Sequence, residues 1–239
     1  MSTDDRRSRL WARLVEDARG DLVSVRHVCA VTVVASGVDG VAMVLAVGSA
    51  VRETVCATDE MAADVAGLAL TVGEGPATDA FTDSRPVLAA DLTEPDYLRR
   101  WPIFAPAATR AGARAVFALP LQVGAIRLGV LELYRRLPGG LGRWQLTDAL
   151  VLADVACLVL LDGADGRPPP KPIFDRHPEI HQATGMIIVQ LGVSAEVAFI
   201  RLRAYAYARD RRLVDVAADV VARRLRFERE PNGYRSGRQ

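Results

Sequence analysis

Apolar and polar positions alternate with two different periods along the chain, and the changes of period mark its elements. Residues 9–19 place Leu10, Leu14, Val15 and Ala18 on one helical face, and 22–36 form a near-continuous apolar run that predicts a second helix. "GVDGVAMVLAV" then turns into a strand over 41–47, and "RETVCAT" supplies another over 52–58, so the two read as a hairpin. A helical stretch from Asp59 to Leu70 leads into the loop and short helix "TVGEGPATDAFTDS", a short strand over 85–91 and a helical pattern over 97–111. "RAVFALPLQV" and "AIRLGVLELYRR" are strand-rich segments joined by a tight turn at Gly124, and the apolar run from Leu146 to Leu161 closes this part as a helix. Hairpins dominate the connections, which predicts an α+β domain on an antiparallel sheet rather than repeated βα units.

"DGADGRPPPKP", from Asp162 to Pro172, breaks the pattern, because consecutive prolines forbid helix and hold the backbone extended. Two domains follow from that boundary. Beyond it, "HPEIHQATGMIIVQL" carries Ile180, Thr184, Ile187, Ile188 and Leu191 on one face, with Ala183, Met186 and Val189 outside that stripe. Gly192 reads as a stop, Ser194 as the N-cap of a helix from Ala195 to Arg209, and Glu196 as a charge that suits its first turn. The expected core face of that helix is Ala198, Phe199, Leu202 and Ala206. "RRLVDVAADVVARRLRF" predicts a third helix with Leu213, Val216, Ala217 and Val220 inward and Arg223, Arg224 and Arg226 near its C-terminal end. A bundle of about 50 residues is only marginally able to bury a core alone.

Charge separates the two parts more sharply than hydropathy does. Residues 1–166 hold 16 Arg against 21 Asp+Glu, net −5, whereas 167–239 hold 14 Lys+Arg against 8 Asp+Glu, net +6. A basic segment of this kind is drawn to polyanions, because neutralising phosphates releases condensed counterions. Cys29, Cys56 and Cys157 have neither CxxC nor metal-ligand spacing, so buried thiols are expected. The amino terminus is charged, no run reaches the roughly 18 apolar residues of a membrane span, and a cytoplasmic chain without membrane association is expected. His27, His177 and His181 assemble no catalytic set, paired carboxylates are absent from the pattern, and no enzyme activity is expected. Gly73, Glu74 and Gly75 lack the Lys and the spacing of a phosphate cradle and read as a structural turn.

In the order of its blocks "GEGPATDAF", "PVLAADL", "RRWPIFAPAATRAGARAVFALPL" and "RLGVLELYRR", the chain resembles GAF domains over about residues 20–162. The resemblance implies a six-stranded sheet, a pocket on one face and dimerisation through flanking helices. The ligand stays open among cyclic nucleotides, haem, tetrapyrroles and other small molecules, and an empty structural domain is equally compatible. Relatives often have Cys directly after "GEGP" where this chain has Ala77, which removes thiol sensing at that position.

The segment "IHQATGMIIVQLGVSAEVAFIRLRAYAYARDRRLVDVAADVV" resembles the ANTAR domain over about residues 176–226, through its Ala-x-Gly, Ala-Phe-x-x-Leu and Asp-Val-Ala. That resemblance implies a three-helix output module that acts as a dimer on paired hairpins in nascent RNA and causes transcription antitermination. RNA loops are read by stacking bases on aromatic or guanidinium planes and by fixing phosphates with Arg. Arg201, Arg203, Tyr205, Tyr207, Arg209, Arg211 and Arg212 interleave both groups and are the candidate contacts; the competing reading is solvated charge and border packing. A mid-helix glycine costs about 1 kcal/mol relative to Ala, so Ala183 and Gly185 are expected to seat the first helix against another backbone, in the bundle or in a dimer. Packing is assigned to them and to Ala198, Phe199, Leu202, Ala206 and Ala217.

The resulting expectation is an α+β GAF domain, its antiparallel central sheet flanked by helices, followed by a small all-α three-helix ANTAR bundle. The boundaries are 1–19 for an N-terminal helical extension, 20–162 for the sensor domain, 163–175 for the linker, 176–228 for the bundle and 229–239 for a flexible basic tail. Two functions are carried forward. One is a homodimeric RNA-binding antitermination regulator; the other is a small-molecule-binding or scaffold protein whose C-terminal helices make dimer or protein contacts without RNA.

Overall fold

The computed structural model describes residues 3–47, 51–162, 178–209 and 211–228. The expected linker 163–175, His177, the tail 229–239 and the side chains of His181 and Glu196 lie outside the described residues. The chain divides into two compact units, Met1–Arg176 and His177–Gln239.

In the first unit, helices α1 (Thr3–Ala18) and α2 (Val25–Ser36) precede the hairpin β1 (Gly40–Val47) and β2 (Val51–Ala57). Helices α3 (Glu60–Val72) and α4 (Pro76–Asp83), strand β3 (Val87–Ala89), helices α5 (Pro95–Arg100) and α6 (Phe104–Ala111), the hairpin β4 (Ala115–Val123) and β5 (Ile126–Arg135), and helix α7 (Arg143–Asp162) follow. The sheet is antiparallel with order β2-β1-β5-β4-β3. Among the described residues the sheet has five strands where the resemblance implies six, and between β2 and β3 the chain forms α3 and α4. The helical pattern over 97–111 also divides: Pro102, just after Trp101, cannot continue a helix, and α5 and α6 lie on either side.

Strand alternation sends side chains to two cores. One face, with Val41, Met43, Phe117, Leu119, Leu131 and Leu133, packs under α1, α2 and α7. The other, with Ala42, Val44, Val116, Ala118, Val130 and Tyr134, packs under α3, α4 and α6 and is filled by Leu92, Trp101 and Phe104. A Cβ at Gly129 of β5 would lie 2.0 Å from the Val44 carbonyl oxygen, so the β1–β5 approach admits only glycine there. Gly124, at φ +59°, makes the expected turn between Val123 and Ile126. Pro120 falls beyond the end of the β3 pairing, where β4 has a bare edge and a missing N–H costs no ladder bond.

By length and mean hydropathy, 1.7, α7 qualifies as a membrane span, contrary to the expectation that no run comes near one. Its Ala149, Leu152, Val155 and Ala156 are instead buried in the core against α2 and β4. The buried Arg6 pairs with Asp148 and lies over the Trp144 ring, and Arg9 joins the same carboxylate, which ties α1 to α7.

The second unit holds α8 (Pro178–Leu191), α9 (Ala195–Ala208) and α10 (Leu213–Val221). Gly192, at φ +68°, donates its N–H to the Ile188 carbonyl and ends α8; Ser194 Oγ accepts the Val197 N–H at 3.3 Å and starts α9. Thr184 is tolerated inside α8 because its hydroxyl donates back to the Ile180 carbonyl at 2.7 Å. The third helix is shorter than its pattern implies. It stops at Val221, Arg223 turns left-handed (φ 58°), and Arg224 N–H closes onto the Asp219 carbonyl, so Arg223, Arg224 and Arg226 follow the helix rather than extend it.

Candidate functional site

Within the bundle, the residues assigned to packing occupy two different environments. Ala183, Ala198, Leu202, Ala206 and Ala217 are fully buried and Phe199 nearly so, together with Ile187, Val216 and Val220. Gly185 is exposed, and a Cβ built on it meets no atom within 4 Å. No contact inside the bundle therefore requires glycine there, which corrects the expectation that Gly185 seats α8 against another backbone of the bundle.

Helical geometry spreads the candidate RNA residues around α9. The buried set Ala198, Phe199, Leu202 and Ala206 faces the core, so Arg201 and Tyr205 fall along one border and Arg203 and Tyr207 along the other. Tyr205 is half-buried, edge-on to Phe227 at 5.5 Å, and the Arg209 guanidinium covers its ring at 5.0 Å. Phe227 is held in turn by its N–H donated to Gln190 Oε1 at 2.9 Å, so the segment after α10 folds back over α8 and α9. Arg203 is half-buried over the Phe199 ring, and burial lowers its pKa. Arg201, Tyr207 and Arg212 are exposed, Tyr207 to 52%.

Arg211 is committed within the bundle. It pairs with Asp219 at 2.8 Å, and Arg224 reaches the same carboxylate at 2.7 Å. Hydrogen bonds from these two arginines hold the Asp219 carboxyl below its ordinary pKa. Arg201, Tyr207, Arg209, Arg211 and Arg212 are thus exposed, with Arg211 tied to Asp219 and Arg209 laid over Tyr205, whereas Tyr205 and Arg203 are half-buried. The exposed face between the two borders of α9 also carries Val197 and Ile200, at 39% and 51% exposure, which are neither cations nor aromatics.

In the first unit, the blocks that stand out in the sequence lock onto each other. Glu74 Oε1 accepts the N–H groups of Ile103 and Phe104 at 2.6 and 2.8 Å and so caps α6 from 29 residues away. Gly75, at φ +122°, lies where a Cβ would stand 2.9 Å from the Phe104 ring. Asp79 accepts from Arg100 at 2.7 Å and from Trp101 Nε1 at 3.0 Å. The "GEGP" loop, expected as a structural turn, is also a clasp on the start of α6. Asp91 is pushed up by burial, yet bonds from Thr93 and Arg114 hold its pKa below the ordinary carboxylate value. Tyr134 donates to Asp59 at 2.7 Å, and burial with that bond pushes its hydroxyl up to about 12.

An open cleft of about 470 Å³ lies between α2 and the β2 end of the sheet, lined by Arg26, Ala30, Val33, Cys56, Thr58 and Asp59. Among the described residues, no group of three or more His, Cys, Asp or Glu side chains could hold a metal ion. His27 is used structurally: its Nδ1 accepts the Ser24 N–H at the start of α2.

Comparison with known proteins places both units. Residues 7–161 match the GAF domain model, and the chain belongs to that family; residues 174–221 match the ANTAR domain model. The chain is thus a sensory and signalling module joined to an ANTAR output domain, both regulatory rather than catalytic. No curated protein gives a match. Among solved structures, the chain is similar to the GAF domain of an Acinetobacter phosphoenolpyruvate-protein phosphotransferase, at 12% identity and TM-score 0.48, covering 70% of this chain and 99% of that one. It is also similar to the GAF domain of the corresponding Coxiella burnetii protein, at 12% identity and TM-score 0.45, covering 68% and 97%. The chromophore-binding domain of a Stigmatella aurantiaca bacteriophytochrome is similar at 12% identity and TM-score 0.48, covering 67% and 60%.

Proposed function

We propose that the protein is a cytoplasmic RNA-binding transcription antitermination regulator, in which the GAF domain is the input and the ANTAR bundle binds paired hairpins in a nascent transcript. The observation that carries this reading is the matched bundle with Arg201, Tyr207, Arg209 and Arg212 exposed along and just beyond α9. Guanidinium groups fix phosphates, and an exposed ring offers a base a stacking partner. A second copy is the proposed partner of the first unit, supported by the exposed Trp11 and Val15 of α1 and Leu150, Leu158 and Leu161 of α7. A small molecule in the GAF domain is the proposed signal, and its identity is open. Sequencing the RNAs crosslinked to the protein in its own cells tests the reading. Transcript leaders with two adjacent hairpins upstream of a terminator are the expected enrichment; a set with no such leaders overturns it.

The second reading, protein or dimer contact through the C-terminal helices without RNA, draws on Val197, Ile200 and Tyr207, which leave an apolar strip open on α9. Transcript enrichment that persists in an Ile200→Asp variant, together with unchanged assembly state, rejects it.

A further inference from the structure

Cys29 and Cys56 stand 27 positions apart in the sequence, on α2 and β2, and the fold buries both in one core cluster. Both are buried in the core under α2, 0% and 4% exposed, and their side chains are within hydrogen-bonding reach of each other. The β1–β2 register shift between Met43 and Val44 helps to make the meeting possible: Cys56 pairs with Met43 and shares its face of the sheet, the face that α2 covers. Cys56 also lines the cleft beside Arg26, Ala30 and Val33 of α2. A small neutral solute in the cleft therefore reaches Cys56 before Cys29. Cys157, the remaining cysteine, lies apart on α7, where its thiol donates to the Gln122 carbonyl.

We propose that Cys29 and Cys56 form a dithiol oxidation site, at which a hydroperoxide entering the cleft converts the pair to a disulfide. In the first step the Cys56 sulfur attacks the terminal oxygen of the peroxide: the S–O bond forms, the O–O bond breaks, and sulfur is oxidised to a sulfenic acid while the other oxygen leaves as water or alcohol. In the second, the Cys29 sulfur attacks the Cys56 sulfur, the S–S bond forms, and the S–O bond breaks. The departing hydroxide takes the Cys29 proton and leaves as water. The product covalently ties α2 to β2, the edge strand of the sheet.

The test uses the intact chain and hydrogen peroxide. Trypsin cuts after Arg52, between the two cysteines, so a crosslink joins two peptides that otherwise separate. The expected result is a joined pair containing Cys29 and Cys56, two hydrogens lighter than the sum, released by dithiothreitol, with two of the three thiols lost to titration and Cys157 retained. A Cys29→Ser variant is expected to leave a sulfenic acid at Cys56 that dimedone traps, and a Cys56→Ser variant to leave Cys29 unmodified. Peroxide treatment that leaves all three thiols titratable, or that oxidises Cys56 to the sulfinic acid with no joined peptide, overturns the proposal; the wild-type peptide result decides even if a variant fails to fold.

Discussion

Charged side chains do different work in the two units. In the GAF domain they brace: Asp148 joins α1 to α7 through Arg6 and Arg9, Asp91 holds Arg114, Glu74 fastens the α3–α4 turn to the start of α6, and Asp79 fastens α4 to the end of α5. In the ANTAR bundle Asp219 braces Arg211 and Arg224, and Arg201, Arg209 and Arg212 lie at the surface. Net charge therefore understates the difference. Cations enclosed by carboxylates stabilise a fold, whereas cations at the surface of a small basic unit remain able to meet phosphates.

The cores differ as well, and the largest expected effect breaks the comparison there. Phe199→Ala removes the largest buried side chain of the bundle, a loss of about 3–5 kcal/mol, comparable to the whole stability of a unit this small. The three tryptophans, Trp11, Trp101 and Trp144, all lie in the GAF domain. Urea titration followed by tryptophan fluorescence should keep its midpoint in this variant, while the helical circular dichroism signal loses the part that belongs to the bundle.

Next in size is the exposed ring. Tyr207→Ala removes a stacking surface and should weaken RNA binding by about 1–3 kcal/mol while leaving the melting of both units unchanged, measured by filter binding beside thermal unfolding. Glu74→Ala leaves the Ile103 and Phe104 N–H groups without their acceptor and should cost the GAF domain about 0.5–2 kcal/mol, read as a lower urea midpoint in tryptophan fluorescence. RNA binding by the folded protein should not change.

The smallest effect concerns Asp219. Its folded pKa is depressed, so its contribution is present above the unfolded carboxylate pKa of about 3.9 and is lost as pH falls through the lower folded value. Asp219→Asn should flatten the acid limb of the bundle's unfolding curve below about pH 4. The same variant releases Arg211 and Arg224 and should steepen the salt dependence of RNA binding by about one counterion.

Local patterns made most of the fold legible. The hairpin turn at Gly124, the stop at Gly192 and the cap at Ser194 depend on neighbours within a few positions, and each forms as its sequence implies. What stayed hidden depends on distant partners. Glu74 reads as part of a turn, and nothing near it announces that its carboxylate caps a helix beginning at Phe104. Cys29 and Cys56 look unrelated until α2 lies over the face that Cys56 shares with Met43. The division of α5 from α6 is marked by Pro102, but the apolar spacing runs across it and reads as one helix.

The candidate surface was legible in residue type and not in availability. Arg211 and Arg203 share the sequence character of Arg201 and Arg212, yet one is tied to Asp219 and the other lies half-buried on Phe199. Spacing along α9 assigns faces, but only the packed bundle shows that Arg211 pairs with Asp219 and that Arg203 is half-buried. Gly185 carries the opposite lesson: a residue expected to seat α8 in the bundle or in a dimer lies on the open side of α8.

The most direct test is a salt titration of the full chain binding an RNA with two adjacent hairpins, run beside an Arg201→Ala/Arg212→Ala variant. If the ANTAR surface binds RNA, the logarithm of affinity falls linearly with the logarithm of salt, duplex DNA of equal length competes poorly, and the slope of the variant is smaller by about two phosphate contacts. An affinity that does not respond to salt, or a slope identical in the variant, contradicts the account.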